Sequence, residues 1–359
     1  MKNITENTKT EFSIMTDMLI VLIILCTVTI YYYGARAAMI LAISLIACVA
    51  SDVICQKIRH KEINKKDLSA IVTGLVLGLM MSAAVPYYIV FSAGIFAIVF
   101  GRHAFGGRGH EIFNSAAVGF LFTALCFPDY VLSYPKPFNY LPLNSTLSSD
   151  TVLVQSMTKS ILSTDSTSAS IIDILIGKFS GPMGTGFIII LLISALFLIF
   201  RRSISAISFF TQLAIVFLFG FVYYNYNIVD TLHLISSGML IFGIIFLSCD
   251  FSTIPKTHSS RFIYGILMGF IILLFHFYAK AENAVVYSVL IAAPLGIELD
   301  RKALSFARML SKNPNGWFSK LKCRFNKDLD NVNETITLIN GSDEDGKSDR
   351  IKIRSKNRE

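Results

Sequence analysis

The residues with the clearest capacity for chemistry lie between Gly101 and Gly119, a glycine-rich, charged stretch set between two apolar runs. Gly106, Gly107 and Gly109 stand within four positions, so the backbone there can take positive φ and approach a ligand or a neighbouring segment closely. A plain connector between two lipid-spanning helices has no need of that freedom. The same loop carries His103 and His110, which have the chemistry of cation or proton ligands and equally that of solvated interfacial side chains. Carboxylates form a second set. Asp17, Asp52, Asp67, Asp250, Glu298 and Asp300 all fall near the ends of apolar runs, where an ionised group costs far less than at mid-bilayer. Asp250 leads into Ser252-Thr253-Ile254-Pro255, a stretch suited to breaking a helix and turning carbonyls toward an ion. No phosphate-binding GxxxxGK[ST], HExxH or serine-hydrolase elbow occurs, so hydrolytic chemistry has nothing to stand on.

The elements that must position these residues are helices in lipid. With 53% hydrophobic residues and 29 Phe in 359 residues, the chain holds more apolar surface than one soluble core could bury. Its apolar residues come in runs at 14–33, 36–55, 68–85, 87–104, 115–127, 183–200, 206–224, 231–249, 262–279 and 283–300. The shortest, 115–127, needs its flanks or burial among other helices to cross about 30 Å of hydrocarbon. The pattern predicts an all-α polytopic membrane protein of about ten transmembrane helices. The polar segment 128–182, rich in Pro, Ser, Thr and Asn, follows the fifth run, and an odd number per half requires the second half to insert upside down. Two inverted five-helix halves, 14–127 and 183–300, are therefore expected, with a functional site between them.

Charge fixes the expected orientation. Lys57, Arg59, Lys61, Lys65 and Lys66, then Arg102 and Arg108, Arg201 and Arg202, and Lys256 and Arg261 all fall on one face, whereas 128–182 holds only Lys136, Lys159 and Lys178. Segment 1–13 and both termini are then cytoplasmic and 128–182 is outside. The first apolar run is too long for a cleavable signal and is expected to remain as a helix. The net charge of +8 comes mainly from this asymmetry and from the tail 301–359, and is poor evidence for nucleic acid. Residues 301–327 carry eight Lys or Arg and no acid, interleaved with Phe306, Trp317, Phe318 and Phe325, as suits a surface helix on anionic lipid. The remainder, 328–359, reads as a disordered tail. Six scattered cysteines without a CxxC pair read as structural.

Phe105-Gly106-Gly107-Arg108-Gly109 followed by Phe113-Asn114-Ser115-Ala116 resembles the Phe-Gly-Gly-x-Gly-x-Asn-x-Phe-Asn-Pro-Ala signature of the RnfD family of Rnf electron-transport complexes, and of its relative NqrB in the sodium-pumping NADH:quinone oxidoreductase. Asp17 ahead of a helix ending Tyr31-Tyr32-Tyr33-Gly34 looks like the family's opening, and Asp67-Leu68-Ser69-Ala70 like the start of its third helix. Cys249-Asp250 through Pro255 and Arg261 through Gly269 are similar to its Thr-Asp-Pro-Val-Thr-x-Pro and Gly-Arg-x-Ile-Tyr-Gly segments, and Leu299-Asp300-Arg301 sits where its last helix ends. The resemblance covers about 15–300. It departs at Glu111, Ile112 and Ser115 in the glycine loop and at Ala292-Ala293-Pro294 in the last helix.

This resemblance implies a subunit of an ion-translocating oxidoreductase in the bacterial cell membrane, active only with sister membrane and peripheral subunits. It implies an FMN carried on a hydroxyl of the external loop by a flavin transferase, and leaves room for a second, non-covalent flavin. Setting Ala169 in register places Ser170 over the family's acceptor threonine, with Thr164 rather than Asp165 at its usual aspartate. The resemblance also singles out Gly106, Gly107, Gly109 and Asn114 for cofactor binding and Asp67 and Asp250 for ion coupling. On the residues alone 128–182 reads as a flexible solvated loop, and an inverted-repeat solute transporter or a flavin-free accessory membrane protein stays open beside the redox reading.

Overall fold

The computed structural model describes residues 11–60, 67–107, 111–143, 153–154, 177, 179–236 and 239–311. These are mostly helical. In the first part α1 (Glu11–Tyr33), α2 (Ala35–Ile58), α3 (Ser69–Met80), α4 (Tyr87–Gly101) and α5 (Ser115–Cys126) follow one another, and α6 (Pro128–Val131) is a single turn. In the second come α7 (Ile188–Phe200), α8 (Ala206–Tyr223), α9 (Ile228–Ser236), α10 (Leu240–Gly243), α11 (His258–Phe277) and α12 (Ala284–Ser311). Helix α10 runs on as a π-turn over Ile244–Ser248. The described strands are β1 (Tyr134–Pro135) and β2 (Leu153–Val154), antiparallel with Tyr134 opposite Val154.

Each apolar run of the sequence meets a helix. Five are long and apolar enough to cross a membrane, and a sixth span forms if α9 and α10, bent by 56°, count as one. Helices α3, α5 and α7 are shorter apolar elements of 12, 12 and 13 residues. The outward faces carry the lipid-suited side chains, among them Ile23, Ile46, Phe91, Ile193, Leu218 and Leu274.

Inside the bundle, helices meet through small residues, because close approach of backbones rather than hydrophobicity drives association in lipid. A Cβ on Gly74 would stand 2.9 Å from the Leu45 Cα, and one on Gly78 would stand 3.0 Å from Leu41 Cδ2, so these two glycines seat α3 on α2. Gly119 does the same for α5 on α4, against Ala97 Cβ at 2.6 Å and the Ala93 carbonyl at 2.7 Å. Gly265 and Gly269 seat α11 on Thr211 and Ile215 of α8.

Two of the expected spans are shorter as helices than as apolar runs. Run 68–85 is helical only to Met80, where Met81 turns extended, and Ser82 through Val85 stay buried without helical hydrogen bonds. Arg36 makes this tolerable. Its Nε donates to the Ala83 carbonyl at 2.8 Å and its Nη2 to those of Ala84 and Val85 at 3.3 and 3.5 Å, supplying donors that lipid cannot. Run 183–200 likewise begins non-helical. Met183 N donates to the Met81 carbonyl and Gly184 N to that of Leu79 at 2.7 Å, so the two irregular segments satisfy each other.

Candidate functional site

The glycine loop does what its composition allows. After α4 the chain makes a short 3-10 turn at His103–Phe105, then Gly106 and Gly107 take φ of 119° and 92°, conformations that a side chain would strain. Gly107 N donates back to the Arg102 carbonyl at 3.2 Å, which folds the loop onto the end of α4. Gly109 and His110 lie outside the described residues.

The chain re-enters the bundle at Asn114, the N-cap of α5. Its Oδ1 accepts from Ala117 N at 3.2 Å, which lets its Nδ2 point away from its own helix. That nitrogen donates to Asp250 Oδ2 at 3.1 Å and to the Phe246 carbonyl at 3.5 Å. Phe246 lies in the π-turn, where the altered backbone pattern presents a carbonyl sideways. Asp250 Oδ2 also accepts from Ser252 Oγ at 2.7 Å. One side chain of the first part thus joins the break that follows the π-turn in the second.

Beneath the glycine loop sits a chain of buried charges. Arg102, 2% exposed, places Nε 2.7 Å from Glu111 Oε1 and Nη1 3.7 Å from Asp52 Oδ1, and donates from Nη2 to Thr73 Oγ1 at 3.2 Å. Asp52 is completed by His103 Nε2 at 2.8 Å and Gln56 Nε2 at 2.7 Å. Burial pushes the Glu111 carboxyl above the usual carboxylate range; Arg102 pulls it back, while Asp250 and Asp67 push it further up. Burial also raises Asp250, opposed by its hydrogen bonds from Ser252 and by the positive charges of Lys256 and Arg102. Asp250 keeps a partly accessible edge by surface area although protein atoms ring it on most sides.

A model of the NQR2, RnfD, RnfE family matches residues 3–301. The chain belongs to this family. The D subunit of the Na⁺-translocating ferredoxin:NAD⁺ oxidoreductase complex of Acetobacterium woodii is 29% identical, covering 79% of this chain and 87% of the relative. Its counterpart in the ion-translocating oxidoreductase complex of Haemophilus ducreyi is 24% identical over 80% of the chain and 92% of the relative. The counterpart in the proton-translocating ferredoxin:NAD⁺ oxidoreductase complex of Clostridium ljungdahlii is 25% identical over 73% and 81%.

Of the residues that resemblance to this NQR2, RnfD, RnfE family singled out, Gly106, Gly107, Asn114, Asp67 and Asp250 gather at one end of the bundle, with Asp67 close enough to act on Glu111 by charge and capping Ser69 N at 2.9 Å. Ser170 and its neighbours lie outside the described residues. Three members of the buried chain were legible only as something else. Arg102 counted as a topology charge, Glu111 as a departure from the signature and Asp52 as an interfacial acid. An Arg and a Glu facing each other across a glycine hairpin was the signal that could have paired them. Two other carboxylates serve the scaffold. Asp17, 2% exposed, takes Arg201 Nη2 at 2.9 Å and Ser203 Oγ at 2.6 Å. Asp300 accepts from Lys256 N at 2.7 Å and Thr257 N at 3.2 Å, capping the start of α11.

Proposed function

We propose that this chain is the D-type membrane subunit of an ion-translocating ferredoxin:NAD⁺ oxidoreductase, and that it helps couple electron transfer to movement of a cation through the junction of Asn114 and Asp250. The observation that carries the reading is that junction. In a family whose named relatives are subunits of such complexes, a cap residue of a helix of the first part holds a desolvated carboxylate at a π-turn break in the second. A helix break that presents carbonyls and a carboxylate inside a bundle is the arrangement from which transporters build ion sites.

The fold that goes with this reading has ten spans in two inverted halves, 14–127 and 183–300. Both termini then face the cytoplasm of a bacterial cell, 128–182 lies outside and 301–359 rests against the inner surface. The match of every apolar run with a helix and the one-sided Lys and Arg support it. Sister subunits complete the electron path. A flavin transferase sets an FMN on Ser170, where a flavin supplies passage between two-electron and one-electron carriers. Tyr31, Tyr32, Phe138 and Phe187 cluster at the end of the bundle opposite the glycine loop, with centroids 4.5 Å apart for Tyr32 with either Phe, and such flat apolar walls suit an isoalloxazine ring. Within the chain, Asn114 orients Asp250 and Ser252 donates to it.

The test is genetic and biochemical. Membranes from cells lacking this chain are expected to lose ferredoxin-dependent NAD⁺ reduction and to regain it with a plasmid copy, and a tagged copy should carry the other subunits through purification. Unchanged activity in the deleted strain would remove the assignment.

A further inference from the structure

The named relatives divide over the ion, one being Na⁺-translocating and another proton-translocating, at 29% and 25% identity. The geometry around Arg102 separates the two. Resting on the function proposed above, we infer that the ion loaded at this end of the bundle is a proton and that Glu111 is the group that takes it, paired with Asp250 across Asn114.

A sodium ion needs a cage of several oxygens with free lone pairs. Among the described residues one oxygen of each carboxylate is already turned to a donor: Glu111 Oε1 faces Arg102 Nε at 2.7 Å, and Asp250 Oδ2 takes both Asn114 Nδ2 and Ser252 Oγ. The cluster also holds a resident cation. Arg102 is 2% exposed, its Nε and Nη1 are aimed at carboxylates yet complete no well-directed hydrogen bond, and a guanidinium in that place repels a second fixed cation at short range. A proton escapes both objections, because it needs one lone pair and neutralises the charge it joins.

The charges that face Glu111 come from every element around it. Among the described residues, Arg102 at the end of α4 is the cation against it; Asp250 beyond the π-turn and Asp67 before α3 are anions, and Asp52 of α2 with its partner His103 competes for the same Arg102. Arg102 therefore answers both Glu111 and Asp52, while Lys256 adds a second positive charge on the Asp250 side. Binding H⁺ at Glu111 removes the carboxylate charge that Asp250 and Asp67 repel and leaves Arg102 to Asp52. Loading forms one O–H bond, on the Glu111 oxygen turned away from Arg102, and breaks one in the water or acid that delivers the proton. Release reverses both, with no electrons moved. In this chain Glu111 stands where the family signature has Asn, so the position adds a carboxylate to the site.

The experiment uses the whole complex in sealed vesicles, driven by reduced ferredoxin and NAD⁺, with a pH-sensitive dye in sodium-free potassium buffer and ²²Na⁺ uptake measured in parallel. Expected is a pH gradient without sodium, collapsed by a protonophore. Glu111→Gln should lower gradient formation per electron transferred, both measured in the same vesicles, by about 10²-fold, the lower range for loss of a proton-transfer group. Glu111→Asp, which keeps a carboxylate for Arg102 and guards against a folding failure in the Gln variant, should retain pumping with a displaced pH profile. Accumulation of ²²Na⁺ that a protonophore leaves intact, pumping in Glu111→Gln equal to wild type, or an unmoved profile in Glu111→Asp each overturns the inference and leaves the function standing. Turnover that moves neither ion overturns both.

Discussion

Replacing Asn114 by Ala removes two interactions at once, and the structure allows their sum to be worked out. The side-chain oxygen caps α5 through Ala117 N, a contribution of about 1 kcal/mol. The side-chain nitrogen donates to the Asp250 carboxylate, for which about 1.5–3 kcal/mol is usual. Ser252 Oγ stays on the same carboxylate oxygen, so the lower part of that range applies and the total is about 2–3 kcal/mol. At about 2 °C per kcal/mol for a chain of this size, thermal unfolding should begin about 4–6 °C earlier. The assay is heating of the detergent-solubilised complex with a thiol-reactive dye that reports exposure of Cys48 and Cys249, one buried in each part of the bundle. Asn114→Asp is the discriminating partner, because it keeps the cap and swaps the donor for a second carboxylate beside Asp250. Like charges raise the folded-state pKa of such a pair above the unfolded value, so its stability is present at low pH and lost as pH rises through that raised value. Asn114→Asp should therefore recover toward wild type on acidification and Asn114→Ala should not. An alanine variant within about 1 °C of wild type, less than the cap alone supplies, would refute the reasoning.

Three further outcomes are expected. Mass spectrometry of the peptide spanning 160–178 should show FMN less one water, lost in Ser170→Ala and kept in Ser168→Ala; an unmodified wild-type peptide from a host with an active transferase would remove the covalent flavin. Gly119→Val should force α5 off Ala93 and Ala97 at about 1–3 kcal/mol and reduce the amount of inserted protein on a membrane blot, whereas Gly186→Ala, whose added Cβ meets nothing nearer than 3.6 Å, should not. In a background without the native cysteines, a cysteine at Asn144 should react with an impermeant thiol reagent from outside and one at Lys61 should not; the reverse pattern would invert the proposed orientation.

The helices were legible because lipid imposes one rule over the whole chain, apolar runs long enough to matter, and each run met a helix. What hydropathy could not distinguish was helix from buried irregular backbone. Residues 81–85 and 183–187 are as apolar as a helix, and only Arg36, an unremarkable charge near the start of the second run, shows where the missing donors come from. The glycine loop was legible by composition, since positive φ at Gly106 and Gly107 leaves a direct trace in residue type. The ion-pair chain was not. Asp52 and Thr73 come from stretches far from the loop that holds Arg102 and Glu111, and neither carries a mark of its partner. Asp17 and Asp300 stand at span ends as Asp67 and Asp250 do, and that position alone does not reveal which elements a carboxylate ties together.

The junction of Asn114 with Asp250 also has a consequence for how the chain is made. The two partners are 136 residues apart, and Asp17 waits still longer, 184 residues, for Arg201 and 186 for Ser203. At synthesis rates of about 5–20 residues per second, the first five helices must sit in the membrane for roughly 7–27 s with Asn114 and Glu111 lacking the far side of their site. During that interval Arg102 already has Glu111 and Asp52 beside it. Their pairing inside the early helices can keep the unfinished half from being rejected by lipid before the later helices arrive.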